Sequence, residues 1–144
     1  MSIGKLTALA VAGDQTIAVT WDDGTKVRVD LAPIISARKT LEPLADPIEF
    51  ACARLSDDGW SVEWPSGVDF GAPQLRRWAD EQSGKAMPSA QFRAWIDSHH
   101  FTLDHAAEAL GLSRRTVAYY LSGEQPVPRT VMLATVGYER SAAA

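Results

Sequence analysis

One cysteine, Cys52, is all the thiol this chain has. It cannot close an internal disulfide, so the fold must rest on packing, and a reducing compartment is the expected setting. Long apolar runs are missing as well. No stretch reaches the roughly 18 apolar residues of a membrane span, and the N-terminus lacks a charged region followed by an apolar core. A cytoplasmic protein with no membrane partner is therefore expected. The devices of catalysis are scarce too. No glycine-rich phosphate loop follows a strand, and there is no nucleophile elbow. The acids sit in turn-forming pairs such as Asp22-Asp23 and Asp57-Asp58, where turn chemistry explains them. Cys52 lies in an apolar stretch read as a strand, with no base beside it, and is expected in the core. These absences imply no enzyme, no catalytic residue and no cofactor. Positive charge is also in short supply, at a net −4. Residues 1–84 hold 8 Lys and Arg against 13 Asp and Glu, and residues 85–144 hold 6 against 5.

The chain is 144 residues long and 46% hydrophobic, which fits one globular domain or two small ones. Its most informative stretch is Leu103-Asp-His-Ala-Ala-Glu-Ala-Leu-Gly-Leu-Ser-Arg-Arg-Thr-Val-Ala-Tyr-Tyr-Leu-Ser122. The spacing predicts two helices joined by a tight turn, a helix-turn-helix. Ala107 leaves room for the second helix to cross the first. Gly111 supplies the positive φ that the turn needs. Leu110, Leu112 and Val117 bury apolar surface on both sides of it. Thr102 is placed to cap the first helix and Ser113 the second, with Gly123 at the stop.

Arg114 and Arg115 open the second helix, where the helix dipole disfavours cations. A sequence written only for helix stability would carry acids there. Two arginines at that end point to use, because the start of a recognition helix meets base edges and phosphates. The structural alternative is a helical hairpin with a solvated basic end.

A further helix is expected over Met87-Pro-Ser-Ala-Gln-Phe-Arg-Ala-Trp-Ile-Asp97, with Phe92, Trp95 and Ile96 at helical spacing, and another over the apolar run Val131–Val136. Four helices so arranged resemble the lambda-repressor-like, Xre-type DNA-binding fold over residues 87 to 140. The resemblance implies that Arg114, Arg115, Val117 or Ala118, and Tyr119 meet DNA. Ser113 and Thr116 assist at the helix start, and Arg129, opening the last helix, is the expected phosphate contact. Leu103 departs from the pattern, since the family often has a phosphate-contacting glutamine there. Tyr120 and Leu121 stand where Trp and Glu are often found.

The first 84 residues carry a different rhythm. Leu6–Val11 and Thr16–Trp21 are strand candidates, followed by the turn Asp22-Asp-Gly24 and the alternating Thr25-Lys-Val-Arg-Val-Asp30. A hairpin with one wet face is expected. Leu31 to Leu44 reads as a short helix or turn segment. Phe50–Leu55 and Trp60–Trp64, joined by Ser56-Asp-Asp-Gly59, are read as a second β region. Pro73–Gln82 is read as a helix and Glu81–Ala86 as a linker. This half, from about residue 5 to 82, resembles domain-of-unknown-function family 2442, on the "VTWDDGTKVRVDL" hairpin, the "WSVEWPSGVDF" segment and the helix after it. Relatives of that family occur with an Xre-type domain, or as short proteins encoded beside toxin-like partners. The fold class expected is thus α+β: a small antiparallel β-sheet domain with a helix over 1–82, then an all-α helix-turn-helix domain over 87–144.

Two constellations invite other chemistry. Asp97, His99, His100, Asp104, His105 and Glu108 crowd into twelve residues. Only His105 and Glu108 have a ligand spacing on one helix, so a solvated helix edge is expected and no metal. Trp60, Trp64 and Trp78 read as core rather than as a binding face. Function narrows to two classes. One is a sequence-specific DNA-binding regulator, a repressor acting as a homodimer on double-stranded DNA. The alternative is an antitoxin-like interaction module that neutralises a small toxin partner through residues 1–82.

Overall fold

Thr16-Ile-Ala-Val-Thr-Trp21 alternates strictly, and in the computed structural model, which describes residues 4–143, it is the middle strand of an antiparallel sheet. The order is β1 (Leu6–Gly13), β2 (Thr16–Trp21) and β3 (Lys26–Asp30). A period of two sends Ile17, Val19, Trp21 and Val29 into the core, while Lys26 and Arg28 stay in water. The β2–β3 turn is fixed by Asp23, whose Oδ1 accepts the Thr25 amide at 2.9 Å. That bond, with Arg76 nearby, holds the Asp23 carboxyl below the usual range. These strands belong to one unit of the chain, Met1–Gln82.

The same unit closes with α3 (Ala72–Gln82), which buries Ala72, Leu75 and Ala79 on one stripe. Side chains tie α3 to the sheet across a long sequence gap. Trp21 Nε1 donates to the Ala72 carbonyl at 3.3 Å. The Gln82 amide accepts from the Asp30 N–H at 2.9 Å and donates to the Asp30 carbonyl at 2.7 Å. Arg76 reaches Asp23 at 3.3 Å and lies over the Trp21 ring, 5.0 Å from its centroid. Between β3 and α3 lie α1 (Ala32–Ala37), a 3₁₀ segment over Lys39–Ala45, α2 (Pro47–Phe50), and a small antiparallel sheet of β4 (Arg54–Leu55), β5 (Ser61–Glu63) and β6 (Asp69–Gly71).

Part of this region departs from the sequence expectation. The strand expected over Phe50–Leu55 shrinks to Arg54–Leu55, because the chain is turning helically just before it. Asp46 accepts the Ile48 amide at 3.0 Å, and Pro47 takes the first helical position, where its missing N–H costs nothing. Cys52 consequently sits in a turn and is exposed, not in the core. Of the three tryptophans, Trp64 is buried between Phe50 and Phe70 and Trp78 is half-buried, but Trp60 is 46% exposed. Trp60 follows a tight Asp58 turn that points it outward.

The second unit, Ser83–Ala144, contains α4 (Ser89–Ser98), α5 (Leu103–Leu110), α6 (Arg114–Ser122) and α7 (Arg129–Ala143). It is not all-α. Ala86–Met87 (β7) pairs antiparallel with Val127–Pro128 (β8), so part of the expected linker belongs to the folded unit. A two-residue strand has no period to read. The core gathers Phe92, Ile96, Ala106, Ala107, Val117, Tyr120, Val127 and Val131. Beside it, Trp95, His99, Phe101 and Tyr138 form a cluster of rings. Trp95 Nε1 donates to Glu139 Oε1 at 2.8 Å, and the His99 ring bonds the same oxygen, holding the Glu139 carboxyl below its usual range. No helix among the described residues is long and apolar enough to cross a membrane.

Candidate nucleic-acid interface

The pair α5–α6 is built from its caps. Thr102 starts α5 by accepting the His105 amide at 3.1 Å. Gly111 ends it in the left-handed region, φ 70°, and the Leu112 amide turns back to the Ala107 carbonyl at 2.9 Å. Two residues later Ser113 starts α6, accepting the Thr116 amide at 3.1 Å, with the two hydroxyls 2.8 Å apart. Gly123, φ 83°, closes the far end. Val117 is fully buried, and Tyr120 is buried edge-on against Phe92, with ring centroids 5.7 Å apart. Burial also pushes the Tyr120 hydroxyl up from its ordinary pKa.

What remains outside is one polar end and one face. Arg114 and Arg115 are exposed at the start of α6. Arg115 Nε donates to the Tyr119 hydroxyl at 2.7 Å, and its guanidinium lies 5.2 Å from the centroid of that ring. Arg114 stands 3.8 Å from Asp104 of α5, with both side chains largely in water, so this pair contributes little. Thr116, Ala118 and Tyr119 are half-buried. Between the two options at the middle of the helix, Val117 belongs to the core and Ala118 is the accessible one.

Ser113, Arg114, Arg115, Thr116, Ala118 and Tyr119 thus share one helix and its cap, whereas Arg129 starts another element, directly after β8. Arg129 is exposed and has no ion-pair partner among the described residues. Sequence reasoning missed two neighbours of this helix. Asp104 faces Arg114, and Arg93 of α4 donates to the Leu121 carbonyl at 3.3 Å, satisfying an end that helix bonds leave open. The Arg115–Tyr119 contact was legible as an i, i+4 pair; Arg93 and Leu121 are too far apart in sequence to signal each other. Among the described residues no three His, Cys, Asp or Glu side chains converge as metal ligands would. His105 and Glu108 border an open cleft with Phe101, Ala109 and Tyr138.

Gly111 is the hinge of the arrangement, and its cost of replacement is easily isolated. A Cβ there would meet no atom within 4 Å, so only the positive φ resists substitution. Gly111→Val is expected to cost about 1–3 kcal/mol as backbone strain, and Gly111→Asn distinctly less. Thermal melting of the two variants checks this; equal melting temperatures would mean that φ is not the constraint.

Residues 7–81 match the family described as Protein of unknown function (DUF2442). The chain belongs to the DUF2442 family. The match ends inside α3, so residues 83–144 lie beyond it. A crystal structure of a protein from Nitrosomonas europaea ATCC 19718, described as a "putative DNA binding protein", is similar over almost the whole DUF2442 chain. The identity is 35%, the match covers 96% of this chain and 90% of that one, and the TM-score is 0.55. No curated protein matches.

Proposed function

We propose that this DUF2442 protein is a sequence-specific DNA-binding regulator, a repressor that acts as a homodimer on double-stranded DNA. In this reading, α4–α7 form a lambda-repressor-like helix-turn-helix domain, and α6 is its recognition helix. The observation that carries the proposal is the start of α6. Two exposed arginines stand on the first turn of a side-chain-capped helix, above a fully buried Val117 that fixes the helix to its core. The helix dipole disfavours cations at that end, whereas an incoming phosphate or guanine favours them.

The roles follow from the chemistry of each side chain. Arg115, steadied by Tyr119, suits a bidentate contact to guanine. Arg114 and Arg129 suit phosphates. Ser113 and Thr116 present hydroxyls at the same helix end, and the Ala118 methyl suits a thymine methyl. One such helix reads few base pairs. Two copies related by a two-fold axis would read half-sites about one helical turn apart. The DNA-binding description of the Nitrosomonas relative is consistent with this role. The acidic first unit makes generic attraction to DNA weak, so affinity has to come from these contacts and from pairing.

The test is fluorescence anisotropy of the full chain with duplex from its own upstream region, beside a scrambled duplex, at two salt concentrations. The native duplex is expected to bind more tightly. Arg115→Ala is expected to cost about 1–3 kcal/mol on the native duplex, and Arg114→Ala to weaken both duplexes alike with a shallower salt dependence, each with folding intact. Equal, weak, salt-sensitive binding to both duplexes would reduce the contact to generic electrostatics. No binding at all would overturn the proposal and favour a protein partner for residues 1–82.

A further inference from the structure

The two edges of the β1–β2–β3 sheet are treated differently. β3 carries Lys26, Arg28 and Asp30, and the Gln82 side chain bonds both backbone groups of Asp30. Charged side chains and a capping amide are how proteins keep an edge from pairing. β1, at the other side, reads Leu-Thr-Ala-Leu-Ala-Val-Ala-Gly, with no charge and no proline. Its first residue is occupied, since the Leu6 amide donates to the Gly59 carbonyl at 2.7 Å. Beyond it, no backbone hydrogen bond to the outer side of β1 is made by the described residues.

The ladder tells which groups stand open. The Leu31 amide bonds the Gln15 carbonyl and the Trp21 amide bonds the Thr25 carbonyl, so Ile17 and Val19 direct their backbone groups at β3. Thr20 and Ala18 then direct theirs at β1, where they face Ala8 and Ala10. Leu9 and Val11 are left with N–H and C=O turned away from the sheet. A cavity of about 440 Å³ lies at the Val11 end, between Val11 and Pro47, Phe50 and Ala51. Val11 itself is exposed.

We propose that β1 pairs antiparallel with β1 of a second copy, about a two-fold axis at Ala10, joining the two sheets into one. This rests on the homodimer of the proposed function and names its surface. The strand is complementary to itself in this register. Leu9 faces Val11 of the partner copy through paired backbone bonds, Ala10 faces Ala10, and Ala8 faces Ala12. From Ala8 to Ala12 every opposing pair is apolar, Thr7 faces Gly13, and the strand is uncharged, so two copies meet without charge repulsion. Ala8 and Ala10 are exposed and small, which admits a close non-hydrogen-bonded pair at the axis.

The experiment is the solution mass of the full chain by sedimentation, with Ala10→Lys and Ala10→Glu variants. The parent is expected near twice its 15.6 kDa. Each variant sets like charges directly opposite one another and is expected to weaken dimerisation by at least about tenfold. An equimolar mixture of the two is expected to restore the dimer. A monomeric parent, or variants that dimerise as the parent does, would overturn the proposal. Hydrogen exchange on the parent checks the same contact without substitution. The Leu9 and Val11 amides should gain protection as concentration rises through dimerisation, and unchanged exchange would count against the edge. Arg115→Ala separates this surface from DNA reading, because that variant should lose the duplex and keep its dimer mass.

Discussion

Phe92→Ala is expected to unfold the Ser83–Ala144 unit near ambient temperature. Phe92 has no exposed surface and lies against both Trp95 and Tyr120, with centroids 6.4 and 5.7 Å away. Truncating a buried phenylalanine costs about 3–5 kcal/mol, combining lost transfer energy with the cavity left behind. A unit of this length commands only roughly 3–9 kcal/mol in total. Phe92→Leu refills much of the space and should cost distinctly less. Trp95 is the one tryptophan in this unit and stacks on Phe92, so near-ultraviolet dichroism will report the loss. A melting curve like the parent's for Phe92→Ala would mean that α4 is not packed on α6 through this ring. Under the proposed function, loss of DNA binding should accompany unfolding, which sets this variant apart from Arg115→Ala, expected to bind poorly while fully folded.

A comparable effect is expected in the first unit from Trp64→Ala. Trp64 is 3% exposed, lies between Phe50 and Phe70 at 5.8 and 5.5 Å, and donates from Nε1 to the Phe50 carbonyl at 3.0 Å. Its removal opens a cavity and takes away one of the two donors of the Phe50 carbonyl, which also accepts the Ala53 amide at 3.3 Å, for about 3–5 kcal/mol. Trp64→Phe should fall between the parent and Trp64→Ala. It keeps a smaller aromatic ring between the neighbours, gives up the donor and part of the indole volume, and should cost about 0.5–3 kcal/mol. Chemical denaturation of the three proteins measures both steps. Equal midpoints for parent and Trp64→Phe would show that the Nε1 bond and the second indole ring together add nothing net.

What could be read in the sequence was governed by periodicity and local chemistry. Ile17, Val19 and Trp21 betray β2 because a half-buried strand must alternate. The capping threonine and serine and the glycine at 111 betray the α5–α6 turn because each acts on residues three or four positions away. Phe50–Leu55 misled because an apolar run without alternation fits a strand as well as a helix end. The Asp46-Pro47 pair was the local signal of the helix that ends there. β6, β7 and β8 are two or three residues long and too short to show any period. The partners of α6 divide the same way. Arg115 and Tyr119 meet within one helix, whereas Arg93 finds Leu121 only after the chain has folded back.

The bonds that fasten α3 to its sheet also set an order of events during synthesis. Trp21 to Ala72, Asp23 to Arg76 and Asp30 to Gln82 span sequence gaps of 51 to 53 residues. Contacts so distant form late, since the loop must close before they reward it. A ribosome adding about 5–20 residues each second releases the three strands several seconds before the helix that covers them. Through that interval Ile17, Val19 and Val29 have no roof, and the charges on β3 are the nascent sheet's defence against its neighbours on the same message.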